Sequence, residues 1–447
     1  MRVLIVGAGA VGFYLARRLA EEAHDVTIVD SDPEKVRRAA DNLDALAIEG
    51  NGAALPVLEG AGLGKADILM AVSGSDEVNL VACMFALHRG VKVKVARISH
   101  PEYYSVQGTL SGEDLGVDLM IGPEQECAWE AFGLLNTSAA TDLARFAGGR
   151  IELVGMKVLP GAPVAGRTMT EIDKRSGGLD FVVAAVVRGG ATEIPTGSTM
   201  IEAGDKIFVM GPASGIRALP TLAGHDPFKL RRVMIGGGSD EAVYLARHLL
   251  HHDIACTILE SDKDRCRELA EMLTGALILH GDTTDLDLLE MEGVEGIDGF
   301  VALTNRDEVN MLAALLAKTC GARRAIPLIH KMEYMALIER VGLDAAVSPR
   351  ISAANAILRY VRRGQIASVA TLTGTDAEAM ETVIGASASL AGHKLRDIRF
   401  PHGALLGGIV RNEKVIMPRG SDALQAGDHA IFFVLPEAIT AVEELLA

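Results

Sequence analysis

The chain has 447 residues, of which 49% are apolar and 23% charged, and its formal net charge is -16 at pH 7. This length allows about three domains, with two or four also in range, and the composition excludes an intrinsically disordered chain. The negative charge argues against nucleic acid as a partner. No apolar run approaches the ~20 residues that cross a bilayer, and the start lacks the apolar core of a signal peptide. We therefore expect a cytoplasmic protein whose apolar excess lies in sheets buried on both faces or in subunit interfaces.

Short β-branched runs alternate with helical patterns over residues 1–120. The predicted strands are Val3–Val6, Val26–Val29, Ala45–Ile48, Ile68–Val72, Val91–Ile98 and Val117–Ile121, and the clearest predicted helices are Val11–Ala23 and Asp76–Arg89. This alternation is typical of a doubly wound parallel sheet. Residues 151–213 differ, because glycine turns separate short strands at Ile151–Leu159, Phe181–Arg188 and Lys206–Met210. They predict a small α+β domain.

The chain is duplicated, with an offset of about 230 residues. Arg2–Gly12 returns as Arg232–Glu241, and Ala66–Asn79 returns as Ile297–Asn310. A fixed long repeat of this kind indicates duplicated structure. The predicted fold class is α/β, a tandem duplication of a doubly wound Rossmann-like parallel sheet domain followed by a small α+β domain. The predicted domain ranges are 1–122, 140–224, 230–350 and 367–447.

A glycine-rich loop, Gly7-Ala8-Gly9-Ala10-Val11-Gly12, joins the first predicted strand to the first predicted helix. It fits the G-x-G-x-x-G pattern, in which the glycines permit a tight turn, approach of a pyrophosphate and close helix packing. The diphosphate would bind at the N-terminus of the helix. Asp30 ends the next strand, where a carboxylate can accept from ribose hydroxyls and disfavours a 2′-phosphate. The pattern therefore predicts NAD(H) in preference to NADP(H).

Further polar residues follow the predicted strands, at the edge where ligands of such sheets bind. They are Asn51, Ser73 and Gly74. Arg97 ends the fifth strand, and its guanidinium can either reach a phosphate or form a salt bridge. We expect Asp76 and Asp307 to cap their helices.

The second copy of the loop departs from the pattern. We align Gly236 and Gly238 with the first two glycines and Glu241 with the third, with Gly237 between them. Glu260 replaces Asp30, Asp282 replaces Asn51, and Leu328 replaces Arg97. A carboxylate at the third glycine position adds bulk and negative charge, both of which oppose a bound phosphate. The second site is accordingly either weakened, altered or lost, or a relic of the fold that binds nothing.

The five cysteines are Cys83, Cys127, Cys256, Cys266 and Cys320. Their number is odd and no two of them form a C-x-x-C pair. We therefore expect reduced, buried thiols, with no metal site and no catalytic nucleophile among them.

These residues together resemble the TrkA family, the peripheral NAD-binding subunits of bacterial Trk potassium uptake systems, built from RCK (KTN) domains. The resemblance covers essentially the whole chain, and its motifs are Val6–Gly12, Val29-Asp30, Asp67–Asn79, Ala96–Ile98 and Ala302–Asn310. It implies a regulator and not an enzyme, with NAD(H), ATP or ADP as ligand. It also implies a homo-oligomer, a tetrameric ring, held beneath a potassium-translocating membrane subunit by protein contacts and not by lipid insertion. The family's ligand site maps onto the Gly7–Gly12 loop, Asp30, Asn51, Ser73-Gly74 and Arg97.

Two alternatives remain open. A dehydrogenase uses the same fingerprint, but it needs an acid or base at the nicotinamide. His24, His88 and His100 lie in or beside the first predicted sheet without an evident carboxylate partner. A nucleotide-sensing module of a different transporter is the other alternative.

Overall fold

The computed structural model describes residues 1–21, 24–100, 103, 112, 115–175, 180–216, 218–335, 337–338, 340–361, 366–372, 375, 377–386 and 388–446. The chain forms two compact units. The first contains Met1–Cys127 and Ser348–Val361, and the second contains Ala128–Val347 and Arg362–Ala447. Among the helices of the described residues, none combines the length and apolar character of a bilayer-spanning segment.

Six parallel strands form the sheet of the first large domain, in the order β3-β2-β1-β4-β5-β6. The strands are β1 (Arg2–Val6), β2 (Asp25–Asp30), β3 (Leu46–Glu49), β4 (Ile68–Ala71), β5 (Val93–Arg97) and β6 (Leu119–Ile121), and the helices are α1 (Ala10–Glu21), α2 (Pro33–Asn42), α3 (Leu55–Gly60) and α4 (Asp76–His88). Because side chains alternate along a strand, Ile5 packs with Leu15 of α1 while Leu4 packs with Leu58 and Cys83 on the other face. Both faces of the sheet are covered.

The first small domain is mostly antiparallel and follows helix α5 (Pro123–Asn136). Its strands are β7 (Ala140–Phe146), β8 (Ile151–Lys157), β9 (Arg167–Thr168), β10 (Val182–Arg188), β11 (Ala191–Glu193), β12 (Met200–Ile201) and β13 (Lys206–Gly211), and its helices are α6 (Met169–Arg175), α7 (Ala213–Ile216) and α8 (Leu219–Leu222). Five strands pair in the order β11-β10-β13-β8-β7, and β9 pairs with β12.

The second large domain repeats the parallel sheet, in the order β16-β15-β14-β17-β18. Its strands are β14 (Arg232–Gly236), β15 (Ala255–Glu260), β16 (Leu277–His280), β17 (Gly299–Ala302) and β18 (Ala325–Pro327), and its helices are α9 (Asp240–His251), α10 (Lys263–Met272), α11 (Leu286–Met291), α12 (Asp307–Thr319) and α13 (Met332–Met335). Helix α14 (Pro349–Val361) follows it.

The second small domain has an antiparallel sheet in the order β19-β20-β23-β21-β22. It consists of β19 (Ile366–Thr371), β20 (Glu378–Val383), β21 (Ala404–Arg411), β22 (Lys414–Ile416), β23 (His429–Val434) and α15 (Ile439–Leu446). The tandem fold class predicted from the sequence is confirmed. The helix predicted over Val11–Ala23 begins at Ala10, and residues 22–23 at its predicted end lie outside the described residues.

The two small sheets pack face to face within the second unit, around one shared apolar cluster. The rings of Phe208 and Phe433 lie 6.0 Å apart between centroids. A Cβ atom added at Gly407 would lie 2.2 Å from Met210 Sδ, and one at Gly408 would lie 2.5 Å from Ile151 Cδ1. The glycines therefore let the two sheets approach more closely than larger residues would.

Helix α14 and the last turns of helix α5 do not pack on the parallel sheet that precedes them in the chain. Helix α14 follows the second sheet in the chain, yet its Ala354 and Ile357 are buried in the core of the first large domain. The last turns of α5 pack on the second large domain, where Phe132 lies against His248 with ring centroids 4.3 Å apart. Arg324, which is 3% exposed, donates from Nη1 to the Thr137 carbonyl oxygen at 3.0 Å and from Nη2 to that of Ala140.

The cysteines follow the prediction in part. Cys83, Cys127 and Cys256 are buried, and burial raises the pKa of Cys83 and of Cys256 to about 12. The expectation of buried thiols is wrong for Cys266 and Cys320, which are half-buried.

Candidate functional site

The candidate site of the first large domain lies at the carboxyl edge of its sheet, where the ends of β1 to β5 meet. Gly7 follows β1 with φ 105°, a left-handed conformation that favours glycine. Its N–H donates to the Val29 carbonyl oxygen of β2 at 2.7 Å. A Cβ atom on Gly7 would lie 2.7 Å from the backbone nitrogen of Ser73. Gly7 therefore makes the turn and also lets the loop after β4 come close.

The other two glycines of the loop have different surroundings. A Cβ atom on Gly12 would lie only 1.8 Å from the Gly7 carbonyl oxygen, so the first turn of α1 requires glycine there. A Cβ atom on Gly9 would meet no atom within 4 Å. Nothing in the packing of the described chain demands glycine at Gly9, and the open space above it fits the close approach of a ligand.

The start of α1 presents backbone donors without negative charge nearby in sequence. Its first turn contains no acidic residue. Within the described part of the chain, the N–H groups of Gly9, Ala10 and Val11 form no hydrogen bond. Such donors, together with the positive end of the helix dipole, bind anions.

Asp30 connects the glycine loop to the end of β2. Its Oδ2 accepts from the Ala8 N–H at 2.6 Å, and its Oδ1 accepts from the Asp32 N–H at 2.9 Å. Each carboxylate oxygen has a further lone pair. Asp30 therefore fixes the loop and retains acceptor capacity for a ribose hydroxyl.

A buried amide that the sequence analysis did not select holds the loop after β4. Asn79 is fully buried, and its Oδ1 accepts from the Ser73 N–H at 2.9 Å and from Ser73 Oγ at 2.8 Å. Its Nδ2 donates to the carbonyl oxygens of Ser73, at 3.2 Å, and Arg97, at 2.8 Å. Asn79 thereby fixes Ser73 beside Gly7 and joins the ends of β4 and β5. A Cβ atom added at Gly74, the next residue of this loop, would meet no atom within 4 Å.

Asn51 and Arg97 are the outer members of the predicted site. Asn51 is exposed, and its Oδ1 accepts from the Ala53 N–H at 2.8 Å. Arg97 Nη2 lies 3.3 Å from Glu124 Oε1 and 3.2 Å from Ser99 Oγ. Of the two roles predicted for Arg97, the structure contains the salt bridge.

The capping roles predicted for Asp76 and Asp307 are wrong. Ser75 caps α4, with its side chain accepting from the Val78 N–H. The Asp76 carboxylate instead accepts from the N–H groups of Ser99, at 3.0 Å, and His100, at 2.8 Å. Asp307 likewise accepts from the N–H groups that follow β18. Both carboxylates therefore hold the chain that leaves the neighbouring strand, a long-range role that helix position alone does not reveal.

Asp307 gives one stability prediction that depends on pH. Burial disfavours its charged form, but hydrogen bonds from the N–H groups of Lys331 and His330 and from the His330 ring outweigh burial and hold its pKa below the usual 3.8. Because the pKa is lower in the folded chain than in the unfolded chain, the ionised carboxylate stabilises the fold fully above the pKa of the unfolded chain, and this contribution is lost as the pH falls through the pKa of the folded chain. We expect Asp307→Asn to lower the melting temperature at pH 7 and to lower it progressively less as the pH falls below 3.8 towards the pKa of the folded chain. Calorimetry would measure this, and a difference independent of pH would contradict it.

The alignment of the second loop is corrected by one residue. Gly237, and not Gly236, corresponds to Gly7, since its φ is 100° and its N–H donates to the Leu259 carbonyl oxygen at 2.7 Å. The Gly238 N–H donates to Glu260 Oε2 at 2.6 Å, as the Ala8 N–H does to Asp30. Ser239 and Ala242 therefore occupy the positions of Gly9 and Gly12, and the predicted placement of Glu241 at the third glycine is wrong.

Gly236 has a packing role inside β14. It corresponds to Val6, and a Cβ atom added to it would lie 3.0 Å from Thr283 Cγ2. In the first large domain the sizes are reversed, because a Cβ atom on Gly52 would lie 2.2 Å from Val6 Cγ1. Val6 on β1 faces Gly52 in the first copy, whereas Gly236 on β14 faces Thr283 in the second copy. This exchange of sizes explains why the second loop carries a run of three glycines.

The second copy also differs in the loop that follows β16, which contains Asp282. Asp282 Oδ1 accepts from the Thr284 N–H and hydroxyl, at 2.8 and 2.7 Å, and these bonds hold the pKa of Asp282 below its usual value. Asn310 repeats the contacts of Asn79, with Oδ1 accepting from the Thr304 N–H at 2.8 Å. The buried amide is therefore part of the fold in both copies, while the charged groups around it differ.

The fold and the loop define the class of protein, a tandem Rossmann-like protein with a glycine-rich loop of dinucleotide-binding type. The TrkA-N domain family matches residues 3–123 and 233–349, and the TrkA-C domain family matches residues 153–223 and 379–447. The chain is 37% identical over 453 residues to Trk system potassium uptake protein TrkA homolog 2 of Methanosarcina mazei, with 100% of both chains covered. It is 36% identical over 441 residues to Trk system potassium uptake protein TrkA of Halomonas elongata, with 97% of this chain and 96% of that protein covered. The chain belongs to the TrkA family.

Solved structures share the fold at lower sequence identity. The GsuK channel bound to NAD aligns with a TM-score of 0.59 at 18% identity, over 100% of this chain and 78% of that chain. GsuK bound to ADP aligns with a TM-score of 0.51 at 13% identity, over 81% of this chain and 69% of that chain. This likeness shows the architecture of tandem large and small domains.

Proposed function

We propose that the chain is a regulatory subunit of potassium uptake that senses NAD(H) or an adenine nucleotide, ATP or ADP, in its first large domain. The observation that carries this proposal is the convergence of three groups at one sheet edge. They are the N–H groups at the start of α1, the Asp30 carboxylate, and the loop that contains Ser73 and Gly74. Together they match the phosphates, the ribose hydroxyls and the central part of a dinucleotide.

The residues present fit such a ligand. The α1 N–H groups would hold the pyrophosphate, and the absence of a side chain on Gly9 would leave room for it. Asp30 would accept from the ribose at the end of β2. Its carboxylate would repel a 2′-phosphate, so the proposal favours NAD(H) over NADP(H).

The relatives support the part of the proposal that concerns transport. The similar proteins of Methanosarcina mazei and Halomonas elongata are named for potassium uptake by the Trk system. The GsuK structures that share the fold are bound to NAD and to ADP. A protein that regulates transport needs a ligand with different affinities for two arrangements of the assembly, and coupling of about 1–3 kcal/mol is the usual scale.

We extend the proposal to the assembly. The chain would form a homotetrameric ring on the cytoplasmic face of the membrane, attached through a potassium-translocating subunit and not through lipid. Light scattering that gives a monomer at micromolar concentration would contradict the ring. Binding to protein-free anionic liposomes as strong as binding to membranes that contain the channel subunit would contradict the mode of attachment.

The first test compares two carboxylates with the same structural role. Asp30→Ala removes both the anchor of the Ala8 N–H and the ribose acceptor, whereas Glu260→Ala removes only the corresponding anchor of Gly238. We expect Asp30→Ala to weaken NADH binding at least about tenfold, the equivalent of about 1.4 kcal/mol, and Glu260→Ala to change it less than twofold. Isothermal calorimetry on the full chain would measure both, and equal losses would contradict the expectation that the first site dominates dinucleotide binding.

A second measurement separates sensing from catalysis. Steady consumption of NADH with a small carbonyl substrate would favour the dehydrogenase alternative. Nucleotide-dependent potassium flux through the reconstituted membrane subunit, lost when this chain is removed, is the result expected of a regulator.

A further inference from the structure

The second glycine loop is held by an arginine of its own domain. Arg265 on α10 donates from Nε to the Gly238 carbonyl oxygen at 2.8 Å and from Nη2 to Asp240 Oδ1 at 3.1 Å. Its Nη1 donates to Glu268 Oε2 at 2.9 Å. We call the bonds of Arg265 to Gly238 and Asp240 the Arg265 bridge. It joins the loop, the first residue of α9 and the neighbouring helix.

The first loop has no counterpart of this bridge among its described contacts. Lys35 occupies the corresponding position on α2, where its Nζ lies 3.5 Å from Asp32. Ala10 stands where the second copy has Asp240, so the start of α1 offers no carboxylate for Lys35 to reach. A single ammonium group also cannot match the several fixed donors of a guanidinium.

The N-terminus of α9 also has a hydrogen-bond acceptor and negative charge supplied by its own residues. Ser239 Oγ accepts from the Ala242 N–H at 3.3 Å, and Ser239 occupies the position of the open Gly9. Asp240 and Glu241 place two carboxylates in the first turn. Their charge already stabilises the positive end of the helix dipole and would repel an approaching phosphate.

Resting on the proposed function, we infer that the Arg265 bridge closes the second loop to dinucleotides, so that each chain binds one dinucleotide, in its first large domain. Arg265 distinguishes the second copy from the first together with the residues at the start of α9, because it bonds to the Asp240 carboxylate and to the Gly238 carbonyl oxygen. Side chains of the second large domain thus hold its glycine loop, and only the first large domain responds to the nucleotide.

Binding stoichiometry tests this inference on the full chain. Calorimetry with NADH is expected to give one site per chain. Two sites per chain would overturn the inference while leaving the proposed function intact. No binding at all would overturn the proposed function, and with it the inference. In the Gly9→Val variant, whose side chain would enter the open space above the first loop, binding is expected to disappear, and a remaining site would overturn the inference.

Opening the second loop is the converse test. The fivefold variant Ser239→Gly, Asp240→Ala, Glu241→Val, Ala242→Gly and Arg265→Lys gives the second loop the residues of the first at the positions of Gly9 to Gly12 and of Lys35. We expect it to bind two NADH per chain, and a folded variant that still binds one overturns the inference. Arg267→Lys is the matched control, because Arg267 pairs only with Asp264 on the exposed side of α10 among the described contacts, and it is expected to leave one site.

A single substitution keeps the test valid if the fivefold variant does not fold. Arg265→Lys removes the bridge and retains the positive charge. Hydrogen exchange of the amides of residues 238–242 is expected to become at least threefold faster than in the natural chain, and unchanged exchange overturns the inference.

Discussion

Replacing Gly12 by alanine is expected to abolish measurable NADH binding and to destabilise the first large domain. The added Cβ atom would lie 1.8 Å from the Gly7 carbonyl oxygen and 3.0 Å from its carbonyl carbon. These are backbone atoms of the loop itself, so α1 or the loop must move. Overpacking of this kind costs about 1–3 kcal/mol, and sometimes more. Calorimetry with NADH and thermal unfolding would measure the two effects.

Two neighbouring positions supply controls for Gly12→Ala. Gly9→Ala adds the same methyl group where no atom lies within 4 Å, so we expect an unchanged melting temperature and weaker NADH binding. Ala242 already occupies the Gly12 position in the second copy, where it is fully buried. Ala242→Gly is expected to leave NADH binding unchanged and to cost about 0.5–1 kcal/mol through backbone entropy. Natural affinity in Gly12→Ala would show that α1 does not form the site.

The second large effect is expected from Asn79→Ala. Removal of this fully buried amide leaves the N–H and carbonyl groups of Ser73 and the carbonyl group of Arg97, which are half-buried residues, without their partner. An unsatisfied buried polar group costs about 1–3 kcal/mol, so we expect a total loss of about 2–4 kcal/mol in the stability of the first large domain. NADH affinity should fall at least about tenfold, because Ser73 is no longer held beside Gly7.

Asn310→Ala is the matched control for Asn79→Ala. Asn310 makes the same four hydrogen bonds, to Thr304 and to the Leu328 carbonyl oxygen. The loss of stability is therefore expected to be similar, but in the second large domain, with NADH affinity unchanged. Loss of affinity in both variants would show that the second copy contributes to binding or that the two domains do not unfold separately.

The sequence by itself determined the tandem parallel sheets and the glycine-rich loop of the first domain. Apolar runs of strand length, interleaved with helical patterns, predict a sheet covered on both faces wherever they occur. The roles of Gly7 and Gly12 also follow from local requirements, namely a positive φ and a close approach within a short segment. These features depend on residues that are close in the sequence, so the local sequence pattern is enough to predict them.

Only the tertiary structure decided the partners of residues far apart in the chain. The sequence does not show which sheet α5 and α14 cover, whereas the structure packs α14 on the first sheet and the last turns of α5 on the second large domain. The alignment of the second loop likewise rested on counting glycines, and it failed because Gly236 serves packing against Thr283. The buried amide of Asn79, the salt bridge of Arg97 and the Arg265 bridge depend on distances across several elements. Those distances arise only when the sheet edges bring separate loops together, which no local pattern specifies.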